Sequence, residues 1–204
     1  MAERTLFRVG DPGVEPYPLL TALVVPRPIA WISTVSAEGV ANLAPHSFFS
    51  VACTEPPMIC FTSVGEKDTL RNVRETGELV INLASVPAMH DVNDSSARFD
   101  PGEDEIAALD LPTEPSELVT PPRLADAPAG LECRLHSTTD LGNSTHVIAE
   151  VLLFHVRTDA LVDGHPEFAR LAPLARLGKA EFAMPGEVVS VPRPATPADI
   201  APRP

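Results

Sequence analysis

The sequence predicts a mainly β protein, a β-barrel with helical insertions, and three observations predict it. First, apolar or alternating runs of strand length recur, at Ile29–Val35, Val40–Ala44, Phe48–Ala52, Met58–Thr62, Leu79–Leu83, Leu131–Thr138 and Thr145–Val156. Second, turn-forming residues separate them, as at Ser36-Ala37-Glu38-Gly39, Thr54-Glu55-Pro56-Pro57 and Asp140-Leu141-Gly142-Asn143. Third, helical patterns are few and brief. Such a set of short strands leaves exposed edges in an open sheet, and closing the sheet into an antiparallel barrel removes them.

Taken in order, Met1 to Pro16 reads as an extended arm with a turn at Asp11-Pro12-Gly13. Tyr17 to Val25 reads as a short helix ending before Pro26-Arg27-Pro28, because a residue preceding proline is pushed out of the helical region. The strand Val40–Ala44 stops at Pro45, which has no N–H to give to a ladder. Met58–Thr62 and Leu79–Leu83 are continuous apolar runs, the pattern of strands buried on both faces. Between them, Asp68 suits an N-cap, Thr69 to Thr76 a short helix with Leu70 and Val73 on its apolar side, and Gly77 the left-handed position that ends it. Ser85 to Ala108 is helical in two pieces, interrupted at Asp100-Pro101-Gly102. Leu111 to Gly130 is rich in proline, acid and small residues and reads as a surface excursion, since strands resume after it. In the next strand Leu131, Cys133 and Leu135 alternate with Glu132, Arg134 and His136, which places the second set outward. Leu161 to Leu177 contains a short helix. Residues 1–184 form one domain, and 185–204 a proline-rich arm or disordered tail.

Composition narrows the function. The chain has 204 residues, 44% hydrophobic and 21% charged, which suits one globular domain with a sizeable core. A formal net charge of −13 argues against nucleic acid or an anionic membrane as partner, but leaves room for a phosphate-bearing small molecule, which needs only a local cation. No apolar run approaches the length of a transmembrane helix, and the first residues lack the apolar core of a signal peptide. Three cysteines, an odd number without a secretory signal, read as reduced thiols in the cytoplasm, with Cys53 and Cys60 as small buried hydrophobes. No glycine-rich dinucleotide or P-loop motif, no zinc-type ligand spacing and no nucleophile-elbow serine is present.

Chemistry-bearing residues concentrate in Pro26–Ser50 and Glu66–Asn72. Ser33, Thr34, Ser63, Lys67 and Thr69 combine hydroxyls, a cation and a helix start, which is what a phosphate requires; they read equally as ordinary capping beside a solvated lysine. The run Asn42-Leu43-Ala44-Pro45-His46-Ser47-Phe48 offers backbone N–H groups after a bend, suited to the polar edge of a flat heterocycle, or else a strand end with Phe48 and Phe49 in the core. Trp31 reads as core, and His146 as a half-exposed strand histidine or a residue facing a substrate.

Five segments in this order, RPIAWIST, NLAPHSFF, EPPMICFT, KDTLRN and GELVINL, resemble the flavin reductase-like, FMN-binding split-barrel proteins. The resemblance covers Tyr17 to Leu83 and, more weakly, Leu131 to Phe182. It implies a split β-barrel that binds FMN non-covalently, with FAD as the alternative. Phosphate contacts fall to Ser33, Thr34, Ser63, Lys67 and Thr69, and Asp68 and Asn72 are implied to belong to the same cofactor-binding set. The ring is implied to lie against Asn42, Ala44, Pro45, His46, Ser47 and Phe48, with Trp31 close by, and His146 to be the catalytic candidate on the nicotinamide or substrate side. The implied activity is NAD(P)H:flavin hydride transfer in a homodimer, with an oxygenase or redox protein as a partner. The alternatives are a fixed prosthetic FMN acting on a small organic substrate, and a non-enzymatic flavin or electron carrier. The chain departs from the family pattern at Ala149 and Lys179, each in place of a glycine, and at Phe182 in place of a tyrosine. These departures bear on nicotinamide handling more than on flavin binding.

Overall fold

Residues 2–200 are described by a computed structural model, and within them strand alternation sorts the side chains into two cores. The chain opens with helix α1 (Pro16–Leu23) and the two-residue β1 (Arg27–Pro28). Then come β2 (Ala30–Val35), β3 (Ala41–His46), β4 (Phe49–Thr54) and β5 (Pro57–Val64). Helix α2 (Asp68–Thr76) leads into β6 (Glu78–Leu83). Next come α3 (Met89–Asp94) and α4 (Glu105–Ala108), and the excursion after Leu111 holds a small ribbon of β7 (Thr113–Glu114) and β8 (Arg123–Leu124). The long hairpin β9 (Ala129–Leu141) and β10 (Ser144–Val156) follows. The chain then runs through β11 (Leu161–Val162), β12 (His165–Pro166), α5 (Phe168–Leu171), β13 (Ala175–Arg176) and β14 (Phe182–Ala183).

Seven strands make one sheet in the order β3-β2-β6-β9-β10-β5-β4, every neighbour antiparallel. The two edge strands, β3 and β4, are consecutive in sequence, with only Ser47 and Phe48 between them. Three peptide steps span at most about 11 Å, so the sheet must curl until its edges meet. One contact marks the meeting: the His46 ring of β3 lies 5.0 Å from that of Phe61 in β5, while Thr62 N–H donating to the Phe48 carbonyl at 2.8 Å carries the β4–β5 ladder on into the connection. The result is a mainly β split barrel.

Inward residues of the strands, among them Ile32, Phe61, Ile81, Cys133 and Val147, form the interior core, into which α2 inserts Leu70 and Val73. Burial pushes the Cys133 thiol up to about 12, so it packs as a hydrophobe. The opposite face of β2 and β3 carries Ile29, Trp31 and Leu43 into a second core, covered by Val92, Ile106, Leu124, Ala127 and Leu174.

Four sequence expectations change here. Strand β3 does not stop at Ala44 but runs through Pro45 to His46, which an edge strand tolerates. The segment after Leu111 is more than a surface excursion, because Leu124 and Ala127 seal the second core. Glu132, expected to point into solvent, is fully buried; its carboxylate accepts from the N–H groups of Glu117 (2.9 Å) and Leu118 (2.7 Å) and so ties the excursion down. Cys53 and Cys60 are only partly buried. After β14, residues 186–200 carry no strand and are exposed throughout. No helix among the described residues is long and apolar enough to cross a membrane.

Candidate functional site

The site residues fall into groups that the barrel separates. The first surrounds the start of α2, which enters one end of the barrel. Thr34 and Asn42 pair across β2 and β3 and point inward, where they meet Thr69 and Asn72 of the helix. Asn42 Nδ2 donates to Thr34 Oγ1 (3.3 Å) and Thr69 Oγ1 (3.1 Å), and Asn72 Nδ2 donates to Thr34 Oγ1 (3.1 Å). These four side chains lock the helix to the barrel, and Asn72 Oδ1 is left buried without a partner. The N-cap is Lys67 rather than Asp68, and no side chain caps the helix. Asp68 is instead the first helical residue; its carboxylate is drawn to Arg71 (2.9 Å) and accepts from Gly102 N–H (3.2 Å). Lys67 is exposed and forms no ion pair among the described residues. An uncapped helix N-terminus beside a free ammonium is a place for an anion. Ser63 lies within β5 rather than after it, because its pairing with Thr145 extends the strand, and its hydroxyl donates to Gly65 O at 3.0 Å.

The second group lies along the split. Ala44 and His46 face inward, while Pro45 faces the other side of the sheet. His46 is almost fully buried, and its Nε2 has no partner. Burial pushes its pKa down to about 3, and the charge of Lys67 adds to the effect, so the ring is neutral. Ser47 and Phe48 form the bridge between the edge strands. Ser47 Oγ accepts from Arg27 Nε at 3.5 Å, and the Arg27 guanidinium stands 5.9 Å from the Phe48 ring centroid.

Ser33 and Trp31 are not brought to either group. Both lie on the outward face of β2, beneath the excursion: Ser33 Oγ donates to Pro122 O (2.6 Å) and accepts from Asn82 Nδ2 (3.2 Å), while Trp31 Nε1 donates to Ser95 Oγ (2.9 Å). His146 stands half-buried on the outer face of β10, opposite Thr62, with Nδ1 3.1 Å from the threonine hydroxyl.

Sequence reasoning missed Arg27. It is 6% exposed, and its guanidinium donates to the carbonyls of Thr21 (2.5 Å), Val24 (2.8 Å) and Leu177 (2.8 Å). Burial lowers its pKa, and the nearby Arg176 charge works in the same direction, against Tyr17. Pairing of β1 with β13 sets Arg27 directly opposite Arg176, and both line a cavity of about 380 Å³ that reaches Pro45 and Ser47. The available signal was a lone cation between two prolines at the start of an apolar strand. Among the described residues no cluster of histidine, cysteine, aspartate or glutamate is placed to hold a metal.

Residues 22–172 match the model of a family described as a flavin reductase like domain. The chain is 37% identical over 192 residues to an uncharacterized protein of Halalkalibacterium halodurans, across 88% of this chain and 91% of that one. Among solved structures, nitrilotriacetate monooxygenase component B from Bacillus cereus superposes with a TM-score of 0.88 at 30% identity, across 93% of this chain and 100% of that one. The 2-nitrobenzoate 2-nitroreductase of Pseudomonas fluorescens superposes with a TM-score of 0.84 at 26% identity, across 94% and 97%.

Proposed function

The chain belongs to the flavin reductase-like family, and on that premise we propose that it is an FMN-binding oxidoreductase of the NAD(P)H:flavin reductase type. The observation that carries the reading is the start of α2, where Lys67 and helix N–H groups without a side-chain cap offer a phosphate a cation and donors together. The other donors and acceptors fit a flavin as well. Of the three buried side-chain polar atoms without a partner among the described residues, His46 Nε2 and Asn72 Oδ1 belong to the residues assigned to the flavin. FMN, or FAD in its place, supplies two-electron chemistry when bound. The chain's own residues position and exclude. Lys67, Ser63 and the first turn of α2 hold the phosphate; Ala44, Ser47 and Phe48 border the ring edge; Arg27 steadies Ser47; His146 places the second substrate. The buried Ser33 and Trp31 support the strand that carries Thr34. We place the protein in the cytoplasm as a homodimer. The Bacillus cereus neighbour is named as one component of a monooxygenase, which supports an oxygenase or redox protein as partner.

The test is to add FMN to the purified protein and follow NADH and NADPH consumption with free flavin present. Turnover that saturates in FMN is the expected result, and Lys67→Ala should raise the FMN KM about tenfold, the loss of one charge-assisted contact. A protein that takes up no flavin would overturn the reading. Retained FMN without consumption of either nucleotide would favour a second reading, a prosthetic flavin acting on a small organic substrate. Lys179 and Phe182 at the cavity favour this alternative, as does the likeness to a nitroreductase of an aromatic acid.

A further inference from the structure

The cavity beside Ser47 is lined by three cations, Arg27, Arg176 and Lys179, and by no carboxylate among the described residues. In a chain of formal charge −13 this is a reversal of the prevailing sign. None of the three forms an ion pair among the described residues. A buried guanidinium with only carbonyl and hydroxyl partners keeps its full charge, and a neighbouring anion would lower its energy.

The backbone strengthens the case. Lys179 has φ +53°, in the left-handed region where glycine is the unstrained choice. The resemblance noted above places a glycine there. A lysine held in such a conformation is strained, and the turn is fastened by Arg176 Nη2 donating to the Lys179 carbonyl at 2.7 Å and Glu181 N–H to Gly178 O at 3.1 Å. One part of the wall is apolar, Ile29, Val92, Leu177 and the Phe182 ring, over which the Arg176 guanidinium sits at 4.6 Å, and uncharged polar groups of Thr21, Ser47, Asn93 and Ser96 complete it. The volume of about 380 Å³ lies in the range of small-molecule sites.

We propose that this cavity is a subsite for a small organic acid, with its carboxylate held by Arg176 and Lys179 against the fixed charge of Arg27 and its apolar or aromatic body against Ile29, Val92 and Phe182. The cavity shares Pro45 and Ser47 with the residues assigned to the ring edge, so a molecule held there lies beside the flavin. This inference rests on the flavin reading for its catalytic meaning, but the subsite can be tested without turnover.

The probe is benzoate, titrated calorimetrically into the full chain with and without added FMN, with benzyl alcohol as the uncharged control. Benzoate should bind and benzyl alcohol should not. Lys179→Gly, which removes a cation at a position whose backbone favours glycine, should weaken benzoate about tenfold, as should Arg176→Gln. Thermal melts of both variants establish that they fold, and FMN affinity is measured on each. Failure of benzoate to bind wild-type protein, or equal binding by wild type and both folded variants, would overturn the proposal. So would a loss of FMN affinity in the variants together with competition by inorganic phosphate, which would assign the cavity to a nucleotide phosphate. Benzoate binding that the variants weaken in a protein that takes up no FMN would uphold the subsite and remove the flavin reading instead.

Discussion

His46 is the residue whose environment departs furthest from what its type suggests. It sits inside the barrel against Phe61, with its pKa pushed down to about 3 by burial and by Lys67. The sign follows from linkage. An unfolded histidine binds a proton below about pH 6.5, and the native one does not until about pH 3, so the native state loses stability as pH falls through that window. Between pH 7 and pH 5 the loss from this residue alone is about 2 kcal/mol. The urea midpoint of wild-type protein should therefore fall between these values, and that of His46→Leu should fall distinctly less. Equal shifts in the two proteins would show that His46 is not the group responsible. The half-buried His155, lowered mainly by desolvation, adds a loss of the same sign in both. The segment from Asn42 to Phe48 was singled out by its residue types. That His46 would be buried was not, because strand alternation fixes its side only once the register of β3 against β2 is known.

At the scale of elements, Glu132 shows how a correct strand can carry a wrong face. The run from Leu131 to His136 alternates as read, and β9 forms there, but the outward face at Glu132 is roofed by the excursion rather than by water. Alternation identifies the two faces of a strand; it does not say what a long irregular segment will do to one of them. Likewise Leu124 and Ala127 sit in a proline-rich stretch with no period to mark them as core. The seven main strands and the α2 helix were legible because their periods are set by the backbone itself. The Glu132 carboxylate terminates two backbone N–H groups that have no ladder partner, and Arg123 approaches it at 4.0 Å. Glu132→Ala should cost about 3 kcal/mol of global stability, the loss of two charge-assisted hydrogen bonds in a buried setting. It should also expose residues 113–123 to limited proteolysis. Intact resistance to protease with an unchanged melting temperature would show that the excursion is held by other contacts.

At the scale of the molecule, the split that makes the barrel also leaves it incomplete. Strand β4 is a sheet edge, and its residues Ser50, Val51, Ala52 and Thr54 are exposed, Val51 at 70%. Edges of this kind are ordinarily protected by lysine, proline, an inward charge or a bulge; Phe49-Ser50-Val51-Ala52-Cys53-Thr54 contains none of the first three and only a register shift between Val51 and Cys53. This is the physical argument for the homodimer proposed above: a second copy would cover what the sequence does not protect. The charge of the chain decides how that association responds to salt. Two copies each carrying a formal −13 repel one another, and the repulsion is screened over about 10 Å at 0.1 M ionic strength. An interface built on apolar edge residues should therefore tighten as salt is raised, the opposite of one built on ion pairs. Sedimentation velocity at low and at moderate salt should show a dimer that is favoured at the higher salt. Val51→Lys, which adds a cation but breaks an apolar contact, should shift the protein toward monomer at both. A wild-type chain that sediments as a monomer at tens of micromolar in both salts, a concentration at which a specific interface of ordinary size is occupied, would remove the homodimer. The exposed edge would then be left for a different protein to cover.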